Sequence, residues 1–543
     1  MKNIIIIGGG ASAILFIHKL INDAINEAEI IVHIVEKEKC FGGLAYNLAA
    51  LPGMLMNNFI KSMSAFNDQP FHLLEWLNSS STDKVSWPVQ YQNKKWDELE
   101  FCPRIIYGFY LRHIFEISLQ LAQEKNITVK IYEDNAIDVD LVNAPKVNIL
   151  LESGVNLAGE IIVLCIGHLS YMTLPFCKMI ENDSRFIKNF WAVQGISRFA
   201  GISIDEDTLI IGTGLTANDI LLLQREKIEE DKRNNGTKKI GHTYLVSRHG
   251  LMHKPYPSSY TGLTQHEIKL NIPSSILPIK ILKPVIKNLA TELFTAGLHP
   301  EDIYRRIVGV LHPLWKSLPH DERVVIFNKY KYLDIYRTGV SRMVLNCINE
   351  MMCDNKLTLF CGKILSIRKM SDDFEVELLV KNTNENGEKI KSTKTVKVKS
   401  IINATGFNDN IQTSSSILVK NLLSKGMIVE NYLGLGANCT VSGQIYSQNG
   451  SLLPIFAIGA ATSGQSFDSR GRLGGASSIV GIRQQASNVN TAIFSFLNEH
   501  IHNNDNEGNY TFTYRLFRQT KLKQPLIVAN CNRFQPTQSR CKL

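Results

Sequence analysis

The ten cysteines of the sequence include no C-x-x-C pair and form no dense, even framework. Scattered cysteines predict reduced thiols in a cytoplasmic protein, and they argue against a disulfide scaffold and against a cysteine-bound metal. Cys40 stands alone beside the first glycine-rich segment. A dithiol–disulfide reductase mechanism needs two cysteines at such a place, so the sequence argues against that class of enzyme.

Long apolar runs are also missing. No stretch reaches the roughly 20 apolar residues that a membrane span needs, and the apolar start, 4–17, is interrupted by three glycines. The net charge is +9, but the lysines are spread widely, and no aromatic-interleaved nucleic-acid-binding module surrounds the basic segment 515–542. We therefore predict no membrane span and no nucleic-acid partner. Anionic small ligands are a simpler reason for the positive charge.

Two short glycine turns are the most informative segments of the chain. Each follows a branched apolar run, 3–7 or 208–211, and each opens a segment with helical periodicity. In a dinucleotide-binding unit the first glycine makes the turn, the second lets the backbone approach a pyrophosphate, and a small third residue lets the helix pack on the strand. The helix N-terminus then binds the phosphates. The predicted cofactor contacts in the two turns are Gly8, Gly10, Ala13, Gly212, Gly214 and Ala217.

Two such turns in one chain predict a flavoprotein that also binds a nicotinamide nucleotide, with FAD at the first turn. The predicted fold class is α/β, with two Rossmann-like dinucleotide-binding domains. Buried strands at 401–406 and 455–459 are interpreted as completing the first domain, so the NADP domain is inserted in the FAD domain. The predicted boundaries are 1–170 and 399–500 for the FAD-binding domain, 171–398 for the NAD(P)H-binding domain, and 501–543 for a C-terminal tail.

The residue patterns outside the glycine turns predict further strands, helices and one loop. Alternating segments at 128–132 and 147–152 predict an antiparallel excursion from the first sheet. Segments 69–77 and 107–123 are predicted helices, and a helix-rich region is expected at 279–347. The Lys-, Asn- and Glu-rich stretch 381–394 predicts a hairpin tip or an exposed loop.

Three sites near the first turn are candidates for FAD contacts. Glu36 follows the second predicted strand, where a carboxylate binds ribose hydroxyls, although it could also be a polar strand end. Gly42 and Gly43 predict close approach of the backbone to a ligand, with a tight loop as the alternative. Asn57 is a polar residue in the apolar stretch 54–63, and flavin carbonyls would satisfy its amide. A turn before a helix explains Asn57 equally simply.

Arg248 follows the second strand of the second unit. A cation at this point suits the 2′-phosphate of NADPH, whereas an unphosphorylated ribose prefers a carboxylate. No Asp or Glu lies between Tyr244 and Gln265. The sequence therefore predicts NADPH rather than NADH, with an ordinary surface arginine as the alternative.

Lys61 and Arg104 are the candidate substrate residues. Arg104 follows a proline and precedes a predicted helix, so it could clamp an anionic group or form a routine ion pair. His168 follows the strand at 161–167 and could act as an acid or base, although a lone histidine at a strand end is more often structural.

Several segments, among them 41–46, 103–111 and 246–251, carry motifs of a known family. They resemble the bacterial FAD/NAD(P)-binding family of mostly uncharacterised flavoproteins. The second glycine turn and Ala404-Thr405-Gly406-Phe407 also look like the N-hydroxylating flavin monooxygenases, which use FAD, NADPH and O2. The resemblance implies an amine or amino-acid substrate, a flavin near segment 57–104, and cofactor contacts at Gly406 and Gly459. Ala460 and Ala461 depart from the Asp that many two-dinucleotide flavoproteins have after this last strand. The segments that carry the resemblance to the first family are 41–46, 56–58, 63–66, 103–111, 246–251 and 457–459.

The predicted function is an FAD-dependent oxidoreductase that uses NADPH and oxygen to N-oxidise a small-molecule amine. A substrate carboxylate would bind Lys61 and Arg104. Two alternatives stay open. A flavin reductase or dehydrogenase would pass electrons from NADPH to another acceptor, and a non-catalytic protein would only bind nucleotides.

Overall fold

The first glycine turn lies at the end of β1, a central strand of the first sheet in the computed structural model of the chain. Ile4, Ile5 and Ile6 of this strand are fully buried, as expected for a parallel strand covered on both faces. The five strands from β18 (Leu452–Ala457) to β3 (Thr128–Glu133) run parallel, and β17 (Gln444–Tyr446) is antiparallel to β18. The described strands, in spatial order, are β17 (Gln444–Tyr446), β18 (Leu452–Ala457), β7 (Ile161–Leu164), β1 (Lys2–Ile7), β2 (Ile30–Glu36) and β3 (Thr128–Glu133).

The structure describes most of the chain, in two units, 1–494 and 495–543. In the second unit the described residues, 495–503, are helical. The predicted helix-rich region 279–347 falls largely outside the described residues, and the tail from 504 onward falls wholly outside them. The described residues are 2–24, 30–38, 42–47, 49–80, 82–142, 146–237, 239–253, 284, 288, 291, 318–330, 339–383, 389–465 and 478–503.

A small antiparallel sheet of β4 (Ala136–Val142), β5 (Lys146–Leu151) and β6 (Asn156–Gly159) packs beside the first sheet. The predicted antiparallel excursion is therefore correct for 147–152. It is wrong for 128–132, because β3 pairs parallel with β2 in the main sheet.

The second glycine turn follows β10 in a second sheet. The strands from β12 to β9 run parallel, and β12, β13 and β14 form an antiparallel meander that extends this sheet. Of the predicted loop or hairpin tip 381–394, residues 381–383 belong to β13 and 389–394 to β14, and 384–388 lie outside the described residues. The described strands, in spatial order, are β14 (Lys389–Val398), β13 (Phe374–Thr383), β12 (Leu357–Lys369), β11 (Thr243–Ser247), β10 (Thr208–Ile211), β15 (Ser400–Asn403) and β9 (Phe186–Ile187).

One strand assignment is corrected by this topology. Segment 401–406 was interpreted as part of the first domain, yet β15 pairs parallel with β10 in the second sheet. An isolated buried strand carries no mark of which sheet it joins, since its partners are distant in sequence. The predicted domain boundary at 399 therefore assigns β15 to the FAD-binding domain, although the strand lies in the second sheet. The strand at 455–459, in contrast, joins the first sheet as predicted.

The described helices cover the sheets and begin close to the predicted positions. The predicted helices 69–77 and 107–123 begin at His72 and Arg104. No helix in the described part of the chain is long and apolar enough to cross a membrane. The helices are α1 (Ala11–Asp23), α2 (His72–Asn78), α3 (Val89–Gln92), α4 (Arg104–Glu124), α5 (Val193–Gly201), α6 (Leu215–Arg233), α7 (His320–Tyr330), α8 (Arg342–Cys353), α9 (Ile417–Ser424) and α10 (Ile479–Asn503).

The chain passes between the two sheets twice, and the two crossings lie side by side. The first crossing contains β8 (Ser170–Tyr171) and the second contains β16 (Phe407–Asn408). These two strands pair antiparallel with each other. The crossings therefore form a two-stranded ribbon between the halves of the molecule.

Candidate functional site

A single cavity of about 1580 Å³ is lined by residues of both glycine turns, of both crossings and of segment 57–63. This volume exceeds the roughly 300–1,000 Å³ typical of small-ligand pockets, so the cavity has room for ligands of dinucleotide size.

The first turn has the geometry that only glycine adopts easily. Gly8 has a φ of +108°, and its amide donates to the carbonyl of Val35 at the end of β2, at 2.8 Å. A Cβ at Gly8 would lie 2.3 Å from the carbonyl oxygen of Cys165, which follows β7. The turn therefore fits tightly between the neighbouring strand ends, and a side chain at Gly8 would break this fit.

Gly10 has a different role from Gly8. Its φ is −77°, and an added Cβ would meet the Cα of Gly43 at an ordinary 3.5 Å. The amide of Gly42 donates to the carbonyl of Gly9 at 3.0 Å, so the Gly42–Gly43 loop is held against the turn by its backbone. The loop is therefore tight, and it lines the cavity; its close approach to a ligand stays a prediction.

Helix α1 begins at this turn without a side-chain cap. Gly10 supplies no capping oxygen and the first turn of the helix has no acidic residue. Ala11 and Ser12, at its start, line the cavity. The free amides of the first helical turn are therefore available to an anionic group.

Glu36 lies at the end of β2 and lines the cavity, as predicted for a ribose contact. Its carboxylate accepts hydrogen bonds from the amides of Gly9 and Glu38. Each oxygen keeps lone pairs for further donors, such as ribose hydroxyls.

The second turn repeats the geometry of the first. Gly212 has a φ of +105° and donates to the carbonyl of Val246 at the end of β11, at 2.9 Å. A Cβ at Gly212 would lie 2.7 Å from the carbonyl oxygen of Ala404, just after β15. The carbonyl of Ala404 thus packs against the second turn as the carbonyl of Cys165 packs against the first. This contact is a consequence of the pairing of β15 with β10 in the second sheet. Helix α6 also begins uncapped, at Gly214, and Gly214 lines the cavity.

Arg248 directly follows β11, and it is exposed rather than part of the cavity wall. The side chain of the preceding Ser247 accepts from Thr213 of the glycine turn, at 3.0 Å, and thus ties this loop to the turn. Arg248 and Lys381 both lower the pKa of His249, after the larger effect of burial. Cationic groups therefore cluster beside the turn, where the ribose of a nucleotide bound there would lie.

Asn57 and Lys61 both line the cavity, and their contacts with a flavin and a substrate stay predictions. Asn57 accepts a hydrogen bond from Asn58 at 3.3 Å. The ammonium group of Lys61 pairs with Glu98 at 3.2 Å, and both side chains are about two-fifths exposed, 40% and 39%.

Arg104 lines the cavity but is 8% exposed and already has a carboxylate partner. Its Nη2 lies 3.5 Å from Oδ2 of Asp219 on α6, close enough for an ion pair. The guanidinium also stacks over Trp191, 4.7 Å from its ring centroid. Burial raises the pKa of Asp219 to about 6, against the opposing effect of Arg104. Arg104 thus joins α4 of the first half to α6 of the second.

The remaining predicted glycine and alanine positions serve packing or line the wall. Ala13 and Ala217 are fully buried where each helix packs on its sheet, and neither lines the cavity. Gly406 has a φ of +92° and lines the cavity. Gly459, with a φ of +83°, faces Ser12 of α1, and the cavity is lined instead by its neighbour Ala460.

A hydrogen-bonded chain on the cavity wall was not predicted from the sequence as a unit. Nδ1 of His168 lies 2.9 Å from Oδ1 of Asp409, and Oδ2 of Asp409 accepts from Ser463 at 3.0 Å. The imidazole stacks on Phe407 with 3.9 Å between ring centroids and 3° between planes. His168 and Asp409 are 241 positions apart, so no local pattern reveals the pair.

The residues of the cavity fit two dinucleotides. Two glycine turns place two uncapped helix starts at one cavity, and Glu36 lines this cavity at the end of β2. Arg248, outside the cavity wall, directly follows β11 beside the second turn and would be the cation for a 2′-phosphate. FAD would supply the redox chemistry at such a site, and a nicotinamide nucleotide would supply the hydride.

Comparison with known proteins agrees with this fit. Residues 5–169 match the family described as FAD-NAD(P)-binding. No curated protein sequence matches the chain significantly. The cadaverine monooxygenase DfoA of the desferrioxamine pathway of Erwinia amylovora, bound to FAD, has 11% identity and a TM-score of 0.57, over 97% of this chain and 100% of that one. The reduced ornithine hydroxylase PvdA of Pseudomonas aeruginosa has 13% identity and a TM-score of 0.54, over 91% and 99% of the two chains.

The family match confirms the prediction of an FAD/NAD(P)-binding protein, and the two solved structures confirm the predicted α/β fold class over nearly the whole chain. Residues 5–169 are thus similar to the FAD-NAD(P)-binding family, within a chain whose fold is similar to that of these two solved structures.

Proposed function

We propose that this protein is an FAD- and NADPH-dependent monooxygenase that N-oxidises a small-molecule amine. The observation that carries the proposal is the single cavity that holds two glycine turns with uncapped helix starts. In the proposed reaction, one oxygen atom of O2 enters the N–H bond of the amine and the other leaves as water. NADPH and one proton supply the two electrons and two hydrogens that this water requires.

NADPH is the proposed reductant because of the charge beside the second turn. Arg248, with Lys381 close enough to act on the same histidine, offers positive charge to a 2′-phosphate. The absence of Asp and Glu from 244–265 agrees with this choice, since a carboxylate there would repel that phosphate.

Oxygen transfer is favoured over thiol-based electron transfer by the cysteines near the cavity. Cys165 lines the cavity, but burial raises the pKa of its thiol far above neutrality. It therefore stays protonated and unreactive. The described residues give it no disulfide partner.

The two cations of the predicted carboxylate site, Lys61 and Arg104, differ in how readily they could leave their present partners to bind a substrate. The Lys61–Glu98 pair is exposed, and such pairs contribute only about 0–1 kcal/mol, so Lys61 could exchange Glu98 for a substrate carboxylate at little cost. The Arg104–Asp219 pair is buried, and breaking it would leave an uncompensated charge. We propose that Lys61, and not Arg104, is the cation that a carboxylate-bearing amine would use.

The test is coupled turnover of the FAD-loaded protein with a panel of diamines and amino acids. The proposal expects one N-hydroxylated product for each NADPH oxidised with at least one amine. Fast NADPH oxidation that an added quinone stimulates, with no N-oxidised product from any amine, would instead indicate a reductase.

A further inference from the structure

The chain of hydrogen bonds at His168 fixes which of its ring nitrogens can accept a proton. An ionised carboxylate only accepts hydrogen bonds, so Nδ1 of His168 must donate to Asp409. The hydroxyl of Ser463 donates to the other oxygen of the same carboxylate, and Ser463 is 1% exposed. In the neutral imidazole the hydrogen is therefore on Nδ1, and the lone pair is on Nε2.

The Nε2 atom of His168 ends this series of hydrogen bonds and can accept a proton. Within the described residues, no group is hydrogen-bonded to Nε2 of His168. The side chain is 25% exposed, and His168 and Phe407 both line the cavity. The stacked Phe407 ring holds the imidazole plane in place, so the orientation of Nε2 is set by two contacts rather than one.

The arrangement has the parts of an acid–base residue. A base in an enzyme is usually oriented by a third group, which also stabilises the charge that the base acquires. Asp409 is in contact with His168 and can stabilise an imidazolium. Glu430 is hydrogen-bonded to Asn410 rather than to His168.

We propose that His168 is the acid–base residue of the cavity and that its Nε2 takes a proton from the ammonium form of the amine substrate. This inference rests on the proposed function. A primary amine has a pKa of about 10, so it arrives as an ammonium ion whose nitrogen has no lone pair to react with oxygen. Transfer of one proton breaks an N–H bond of the ammonium and forms the Nε2–H bond. The imidazolium next to Asp409 later releases that proton to solvent.

Two substitutions separate this role from a merely structural one. His168→Asn keeps an amide N–H where Nδ1 donates to Asp409 but removes the accepting nitrogen. Asp409→Asn keeps the imidazole but no longer dictates its tautomer. A matched control is His242→Asn, since His242 also bonds a side chain, that of Thr358, and also packs on an aromatic ring, that of Tyr244, but does not line the cavity.

The experiment measures kcat/KM for the amine in the FAD-loaded protein as a function of pH. At pH 7 we expect His168→Asn to lower kcat/KM roughly 100-fold or more, the usual contribution of a positioned acid–base group. Above the pKa of the amine the substrate arrives neutral, so the difference from the wild type should disappear. The rate of anaerobic flavin reduction by NADPH should be unchanged, and His242→Asn should resemble the wild type throughout.

A readout without turnover tests the same atom. In 15N-histidine-labelled protein, Nε2 of neutral His168 should resonate as an unprotonated nitrogen, and Asp409→Asn should change its tautomer balance. A wild-type kcat/KM at pH 7 in His168→Asn, a loss that persists at high pH, or a protonated Nε2 in the neutral ring would each overturn the inference. A wild-type enzyme that yields no N-oxidised amine contradicts the proposed function itself.

Discussion

The buried pair of Arg104 and Asp219 should hold the two halves of the molecule together rather than bind substrate. Both residues are more than nine-tenths buried, and the guanidinium is enclosed between Asp219 and Trp191. The prediction concerns Arg104→Met, Asp219→Leu and the double variant. The double variant replaces two buried charges by two apolar side chains and should be more stable than either single variant.

The structure gives the size of the effect. A rise in the pKa of Asp219 from 3.8 to about 6 means that the ionised form already costs about 3 kcal/mol on folding, even with Arg104 beside it. Removing one partner of a buried pair typically costs 3–5 kcal/mol, whereas replacing both is often neutral. We therefore expect each single variant to lose about 3 kcal/mol or more and the coupling energy to exceed about 2 kcal/mol.

The pH dependence has a definite sign. Because folding raises the pKa of Asp219, the folded state binds the proton more tightly, and stability falls as pH rises from about 4 to about 6. Asp219→Leu removes this contribution, so the stability of the variant relative to the wild type should rise by about 3 kcal/mol across that window.

The assay is urea unfolding of the FAD-loaded protein, followed by far-ultraviolet circular dichroism from pH 4 to pH 7. The control cycle is Lys188→Met with Glu181→Leu, an exposed pair whose coupling should be within about 1 kcal/mol. Additive effects of Arg104→Met and Asp219→Leu would refute the reasoning. So would a stable Arg104→Met protein whose only defect is a raised KM for a carboxylate-bearing amine.

Three further predictions concern cofactor binding. Gly10→Val should abolish FAD retention because its side chain would fill the space beside Gly43 at the uncapped start of α1; a yellow, fully loaded variant would show that the first turn is misassigned. Arg248→Ala should raise the Kd of NADPH roughly ten- to hundredfold, from loss of a charge-assisted contact of about 1.5–3 kcal/mol, and leave that of NADH nearly unchanged; equal effects on both would argue against the 2′-phosphate contact. Glu36→Gln should weaken FAD binding measured by flavin fluorescence, whereas Glu38→Gln, its matched control, should not, and equal losses would contradict a ribose contact.

The glycine turns could be predicted from the sequence because each turn is a local feature. Strand, turn and helix follow one another within about 20 residues, and Gly8 and Gly212 have the positive φ that the motif requires. Gly10, in contrast, is extended backbone with a φ of −77°, and an added Cβ would meet the Cα of Gly43 at an ordinary 3.5 Å.

Features that depend on distant partners could not be predicted. The sheet that β15 joins is decided by its pairing with β10, far earlier in the chain. The partner of Arg104 lies on α6 of the other half, so the sequence alone left both a clamp and an ion pair open. His168 has the same limitation, since a lone histidine at a strand end looks structural until Asp409 is placed beside it.

The central claim is that one cavity brings NADPH, FAD, oxygen and an amine together. The most direct measurement is anaerobic titration of the FAD-loaded protein with NADPH, followed by addition of O2 and an amine panel, with product identified by mass. We expect NADPH to abolish the visible flavin absorbance at a lower concentration than NADH does. After O2 is added, an amine should gain one oxygen atom for each NADPH consumed. A colourless protein that takes up no FAD, or a reduced flavin that reoxidises without any N-oxidised product, would contradict it.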